Sequence, residues 1–328
     1  MKLSVIHETR YDYASPVEQA HHVVHLRPLA TARQTVLSHR LTASPEPQSL
    51  REFMDSYGQP RTYFEMATPH TTLIVGAHSE VITQALPNSL SGALERVTVP
   101  DSPRWESVAE HMLYNAAQSF DASREFAQPS PLAPIDADFA RYASEVASPG
   151  ATVFGLAKAL CQRIHSEFKY TPAATDVGTP PSEALEKKVG VCQDFAQVMI
   201  ACLRSLGLSA RYVSGYLLTQ PPPGKPRLIG ADASHAWVSV YSPEYGWLEF
   251  DPTNNCIAGE SHVVVGYGRD YADVAPIRGV IRGGGTHTLK VAVTVAPSDE
   301  LAHGASRQQS QTQTQTQGSG TQSQSQRG

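Results

Sequence analysis

The segment KKVGVCQDFAQVMIACLRSLGL, residues 187–208, constrains the fold more than any other. Phe195, Val198, Met199, Cys202 and Leu206 recur at three- and four-residue intervals and therefore share one helical face. Gly207 supplies the C-terminal stop, and Gly190 is the expected N-cap. The pattern predicts a buried helix with Cys192 in its first turn. A second helical stripe, Val153, Leu156, Leu160, Ile164 and Phe168, precedes it.

Elsewhere the periodicity is that of strands. Over the first 85 or so residues, LSVIHETRYDY, HHVVHLRPLA, TVLSHRLTA and TTLIVGAHSEVIT alternate with turn residues, which predicts a small antiparallel β domain over 1–86. Prolines then punctuate two expected helices, 105–118 and 137–146, in a connector over 87–148 that belongs to the second domain. That second domain is expected over 149–300 and ends on a cleanly alternating strand, HTLKVAVTVAP. Residues 306–328 form a Gln, Ser and Thr tract with too little apolar surface to offset its ordering entropy, so disorder is expected there. The fold class is α+β.

Composition narrows the function. With 26 basic and 31 acidic side chains in 328 residues, the net charge is −5, and no Lys/Arg stripe suits a phosphate backbone, so no nucleic acid partner is expected. Polar residues interrupt the N-terminal apolar stretches before they could form a signal-peptide core, and no run reaches membrane-span length; a cytoplasmic location without membrane association is expected. The four cysteines, 161, 192, 202 and 256, lack zinc-knuckle or redox-pair spacing and are expected as reduced thiols. The string RGGG at 282–285 lacks the Lys-Ser or Lys-Thr of a phosphate loop and reads as a flexible turn. No acidic loop has calcium-ligand spacing, so neither cofactor nor metal is expected. On oligomeric state the sequence is silent.

Cys192 is the residue with chemistry to offer. A thiol attacks a carbonyl as its thiolate, and a helix N-terminus favours the anion through the aligned peptide dipoles and the unpaired N–H groups of the first turn. Those N–H groups also suit a developing oxyanion, for which the Cys192 backbone is the expected donor. A histidine must take the thiol proton, and thirteen are present, so position decides. In SHAWVSVYSPEYGWLEFDPTN, two-residue alternation puts His235, Trp237, Ser239 and Tyr241 on one face of a hairpin strand, and Trp247, Glu249 and Asp251 on one face of its partner. A turn of three or five residues makes cross-strand sums even and brings His235 and Asp251 to the same face as direct or diagonal neighbours, about 5 to 8 Å apart at Cβ. A four-residue turn separates them. Asp251 would then orient the imidazole and stabilise its charged form, although an Asp before Pro-Thr-Asn also serves as a turn residue. Asp194 is expected to be structural, and Trp237 either walls the cleft or belongs to the core.

The strings GVCQDFAQVM, LRSLGLSARYVSGYL, DASHAWVSVY and GWLEFDPTNN resemble the core of the transglutaminase-like superfamily over about 149–255, with Cys, His and Asp in the expected order at gaps of 43 and 16 residues. HETRYDYASPV and HLRPLA resemble the β-rich region that precedes this core in many bacterial members. The resemblance implies a papain-like or transglutaminase-like α+β catalytic core and a triad of Cys192, His235 and Asp251. It implies a thioester on Cys192 formed from a peptide or protein substrate. Hydrolysis of a peptide or amide bond is the favoured outcome; transfer to an amine is the alternative, and a noncatalytic peptide-binding module is the rival from another class.

Overall fold

The computed structural model describes residues 1–116, 119, 121–172, 174–175, 178–219, 230 and 232–300. Five strands open the chain: β1 (Lys2–Val24), β2 (Gln34–Ser44), β3 (Ser49–Met54), β4 (Pro60–Met66) and β5 (His70–Thr83). Helices α1 (Trp105–Met112), α2 (Ala137–Ser144) and α3 (Val153–Glu167) follow, then β6 (Lys169–Tyr170), α4 (Pro181–Lys187), β7 (Val189–Gly190) and α5 (Cys192–Ser205). The remainder is β8 (Ala210–Leu217), β9 (Ser234–Ser242), β10 (Gly246–Asp251), β11 (Cys256–Ile257), β12 (His262–Gly268), α6 (Tyr271–Val274), β13 (Ile277–Gly283) and β14 (His287–Pro297). Helices α1 and α2 stop short of the expected 105–118 and 137–146; at α1, Leu113 already takes an extended conformation. The expected disordered tract 306–328 lies outside the described residues.

The two sheets share the chain unevenly. In the first, of seven strands, the long β1 pairs with β5 and β14 through its N-terminal half and with β4 and β13 through its C-terminal half. The 149–300 unit therefore does not hold as expected: β13 and β14, residues 277–297, return to the N-terminal sheet. Alternation identifies a strand but not its partner. The RGGG string forms the tight link between them, with Gly283, Gly284 and Gly285 all at positive φ. A Cβ on Gly283 would stand 2.5 Å from the Pro16 carbonyl oxygen, so the close approach to β1 needs glycine there.

The second sheet has the order β11-β10-β9-β8-β12, and α5 crosses it. Residues from Asp194 to Arg204 of α5 are buried on every side, beyond the single stripe the sequence predicts. Phe195, Val198, Met199 and Cys202 join Phe154, Leu156 and Leu160 of α3 and Val238, Val240 and Phe250 of the sheet in one core. Arg204, buried at the other end of α5, donates to the carbonyls of Phe126 (2.8 Å), Ala210 (2.8 Å) and Arg269 (2.7 Å), which fixes the helix among its surrounding loops.

Where the sheets meet, Leu3, Val5, Val81, Val293 and Val295 pack on Tyr216, Val263 and Val265. Strand β12 lies at the edge of its sheet, and unpaired backbone groups there would be costly once buried. Two glutamines satisfy them. Gln34 donates to Val264 O (2.7 Å) and accepts from Val264 N–H (2.9 Å), and Gln59 treats Tyr267 the same way at 2.6 and 2.9 Å. Each side-chain amide stands in for one residue of a neighbouring strand.

Candidate active site

Helix α5 begins where the sequence places it, but with another cap. Val191 is the N-cap, in extended conformation, and its N–H donates to Asp194 Oδ2 at 2.7 Å. Thr175 Oγ1 donates to the same oxygen at 2.6 Å. Asp194 thus has the structural role expected of it. Gly190 is not the cap: a Cβ there would lie 2.5 Å from Asp194 Oδ2, so glycine makes room for the carboxylate to fold back. The Gly190 carbonyl is held by Thr171 N–H at 2.9 Å, next to the short β6–β7 pairing. Cys192 follows as the first helical residue and is partly exposed; the first intrahelical bond runs from Phe195 N–H to Val191 O, at 3.1 Å, leaving the Cys192 N–H ahead of the ladder.

The hairpin satisfies the parity condition. Ser242 pairs with Gly246, which leaves a three-residue turn, and the register continues through Val240 with Leu248 and Val238 with Phe250. His235 and Asp251 therefore share a face as diagonal neighbours. Their side chains meet, with His235 Nε2 2.7 Å from Asp251 Oδ2. The Cys192 side chain lies close enough to the His235 ring to help raise it, and because Asp251 occupies Nε2, Nδ1 is the nitrogen left for the thiol. The three residues singled out in the sequence come together.

Asp251 is fully buried and serves as both orienting group and turn residue, one oxygen for each. Oδ1 accepts the backbone N–H groups of Thr253 (2.9 Å) and Asn254 (3.1 Å), which folds the Asp-Pro-Thr-Asn turn. Oδ2 accepts His235, the Asn254 side-chain amide (2.7 Å) and a second histidine, His262 (3.1 Å). His262 Nδ1 accepts the Gly259 N–H at 3.2 Å, so in the neutral ring the proton sits on Nε2 and is donated to Asp251. Asn254 and His262 went unnoticed in the sequence. The Asn254 signal was available in the DPTNN string, whereas His262 arrives on β12 through its pairing with β8.

Electrostatics follow from this geometry. Burial by itself disfavours a charged imidazole at His235, but the Asp251 carboxylate and the hydrogen bonds to Asp251 and Cys192 outweigh it and push His235 up to about 10. Burial likewise opposes ionisation of Asp251, yet the two histidines hold it well below the usual carboxylate range. The other thiols differ in setting. Burial pushes Cys161 and Cys202 far up, and Cys256 up to about 12. Trp237, fully buried, lies 5.9 Å from His235 and 5.2 Å from His262 between ring centroids, and donates Nε1–H to Glu249 at 2.8 Å. It belongs to the core behind the histidines. Gly215 makes this possible, since a Cβ there would meet the Trp237 ring at 2.6 Å and the Val263 carbonyl at 2.0 Å.

Among the described residues, His235, Asp251 and His262 form the group able to offer three metal ligands, with donor atoms within 4.8 Å of one another. The spacings of 2.7 and 3.1 Å to Oδ2 are also those of ring N–H donors to a carboxylate. Its chemistry is that of a buried carboxylate orienting two imidazoles, one of which faces a thiol at a helix N-terminus.

Comparisons with known proteins agree with this architecture. The model of the transglutaminase-like superfamily matches residues 140–252, and that of the bacterial transglutaminase-like N-terminal region matches 3–82. An uncharacterized protein of Mycobacterium tuberculosis is 38% identical over 307 residues, covering 89% of this chain and 92% of its own length. A protein-glutamine gamma-glutamyltransferase of Pseudomonas aeruginosa is 36% identical over 115 residues, 34% of this chain and 17% of that protein. The solved structure of a candidate cysteine protease from Cytophaga hutchinsonii shares the fold, with a TM-score of 0.68 over 91% of each chain at 21% identity. The papain-like α+β core, its β-rich N-terminal partner and the matching relatives lead to one assignment: this chain belongs to the transglutaminase-like superfamily.

Proposed function

We propose that the protein transfers an acyl group through a thioester on Cys192, with water resolving that thioester, so that a peptide or amide bond is hydrolysed. The observation that carries this reading is the position of His235, in contact with Cys192 on one side and bonded to the buried Asp251 on the other. His235 already holds the proton drawn from the thiol as an imidazolium, and the sulfur attacks the carbonyl carbon as a thiolate. The oxyanion forms near the first-turn N–H groups of α5, and its collapse expels the amine, which receives its proton from His235. Water then attacks the thioester with His235 again as base, releasing the acid and restoring the thiol. Asp251 keeps the ring in one orientation and balances the imidazolium charge throughout.

Wild type and Cys192→Ala, incubated with a mixed peptide and amine library and read by mass spectrometry, test this. Hydrolysis by wild type alone, with an acyl adduct on Cys192, is expected. Equal conversion by both proteins would sink the mechanism. The likeness to the Pseudomonas transferase favours a second reading, transfer to an amine through the same thioester; amine adducts formed by wild type alone would select it. A noncatalytic peptide-binding module is separated by a thiol-directed electrophile: the acyl-transfer reading expects label on Cys192 far ahead of Cys161, Cys202 and Cys256.

A further inference from the structure

His262 also lines a second feature, a cavity of about 220 Å³ at the seam between the two sheets. One water needs roughly 10–15 Å³ by a comparable measure, so the space suits a ligand of several heavy atoms. Its wall on the second sheet contains Arg211 and Glu249, and Arg33 faces it from the first unit. Cys192 does not line it.

The charges in this cavity are placed unusually. Arg211 is paired across the sheet with Ser239, and Ser239 with Glu249, so a cation and an anion stand in one row with a small residue between them. Two strand spacings separate their backbones by about 9 to 10 Å. Among the described residues, neither side chain closes an ion pair within 4.0 Å, although Glu249 is the largest charge acting on Arg211. The Arg211 guanidinium is clamped between the rings of Trp247 (4.1 Å) and Tyr267 (3.7 Å), which fixes its plane. Glu249 Oε2 is committed to Trp237 Nε1–H, which leaves Oε1. In the middle of the row, buried Ser239 has no hydrogen-bond partner for its Oγ among the described residues.

We propose that this cavity binds a small zwitterion of the α-amino acid class, its carboxylate on Arg211 and Arg33 and its ammonium on Glu249. A plain anion would be repelled by Glu249, and a plain cation by the two guanidiniums. A molecule carrying both charges bridges the row and pairs each side chain without moving either. Recognition is reversible and needs no covalent step, and it stands independently of the acyl-transfer reading.

Isothermal titration of the full chain with L-alanine, L-serine and L-glutamine tests it, with acetate and methylammonium as half-ligands. Saturable one-to-one binding of at least one amino acid is expected, with neither half-ligand binding comparably. Glu249→Gln keeps an acceptor for Trp237 while removing the charge, and Arg33→Gln removes a half-exposed guanidinium; each should weaken binding by roughly tenfold or more. No saturable binding of any of the three amino acids would overturn the proposal. So would acetate binding as tightly as they do, together with tighter binding by Glu249→Gln, the behaviour of a plain anion pocket. If either variant melts early, the half-ligand comparison on wild type decides alone.

Discussion

Buried histidines in the two sheets obey the same physics and reach opposite ends of the pH scale. In the first sheet, burial lowers His7 and His22 to about 4. His7 is matched to two hydroxyls, Tyr216 and Thr9, at 3.0 and 2.9 Å, while both ring nitrogens of His22 lack a partner among the described residues. In the second sheet His235 is also buried, yet the Asp251 carboxylate carries it to about 10. One buried carboxylate therefore separates a histidine that stays neutral from one that holds a proton. Within the second sheet the distinction is finer, because His235 and His262 both bond Asp251 Oδ2. The partner on the other ring nitrogen decides: His262 Nδ1 is already used by Gly259 N–H, whereas His235 Nδ1 is left for the Cys192 thiol.

The strongest way to break the comparison is to remove the carboxylate. Asp251→Asn should let burial dominate, dropping His235 below 6.5 in an NMR titration, and should lower the rate of Cys192 acylation on the order of 10³-fold or more. A His235 that stays protonated in that variant would show that Asp251 is not the cause. Next, His235→Gln should cost roughly 10²- to 10⁴-fold in rate, whereas His262→Gln should stay within about tenfold, because only the first removes a base. Equal losses in kcat/KM would erase the distinction drawn from Nδ1.

A smaller effect concerns stability. The unfolded chain titrates its histidines near 6.5, so between there and about 4 it binds protons that His7 and His22 refuse when folded; stability falls as the pH drops through that window. His235 acts with the opposite sign: its contribution is complete below 6.5 and is lost as pH rises toward about 10. Urea midpoints should thus peak near neutrality. His22→Leu should move the acid limb to lower pH, gaining about 1–3 kcal/mol at pH 5 by removing a buried ring without polar partners. An unchanged limb would assign the acid response elsewhere. The smallest expectation is no change at all: a chelator should leave turnover intact, and a loss reversed by zinc would make His235, Asp251 and His262 ligands instead.

How much of this could be read beforehand depends on the range of the contacts. The parity of one hairpin places His235 beside Asp251, because the turn length alone fixes which residues share a face. The α5 pattern puts Cys192 at a helix start for an equally local reason. Gly190 was misread as a cap because its purpose, room for the returning Asp194 carboxylate, lies in a side-chain path that periodicity does not record. His262 and the destination of β13 and β14 were illegible for a third reason: each depends on pairing with a strand distant in sequence.

That last pairing has a consequence in time. β1 is synthesised more than 260 residues ahead of β14, yet Leu3 lies opposite Pro297 and Tyr13 opposite His287. The first sheet therefore cannot be completed until β13 and β14 have been made; β1 can hold β5 and β4, but one edge of it waits for them. Long-range closure of this kind is slow and leaves strand edges open in the interval. A chain truncated before residue 277 would never leave that state, even though its candidate active site would be complete in sequence.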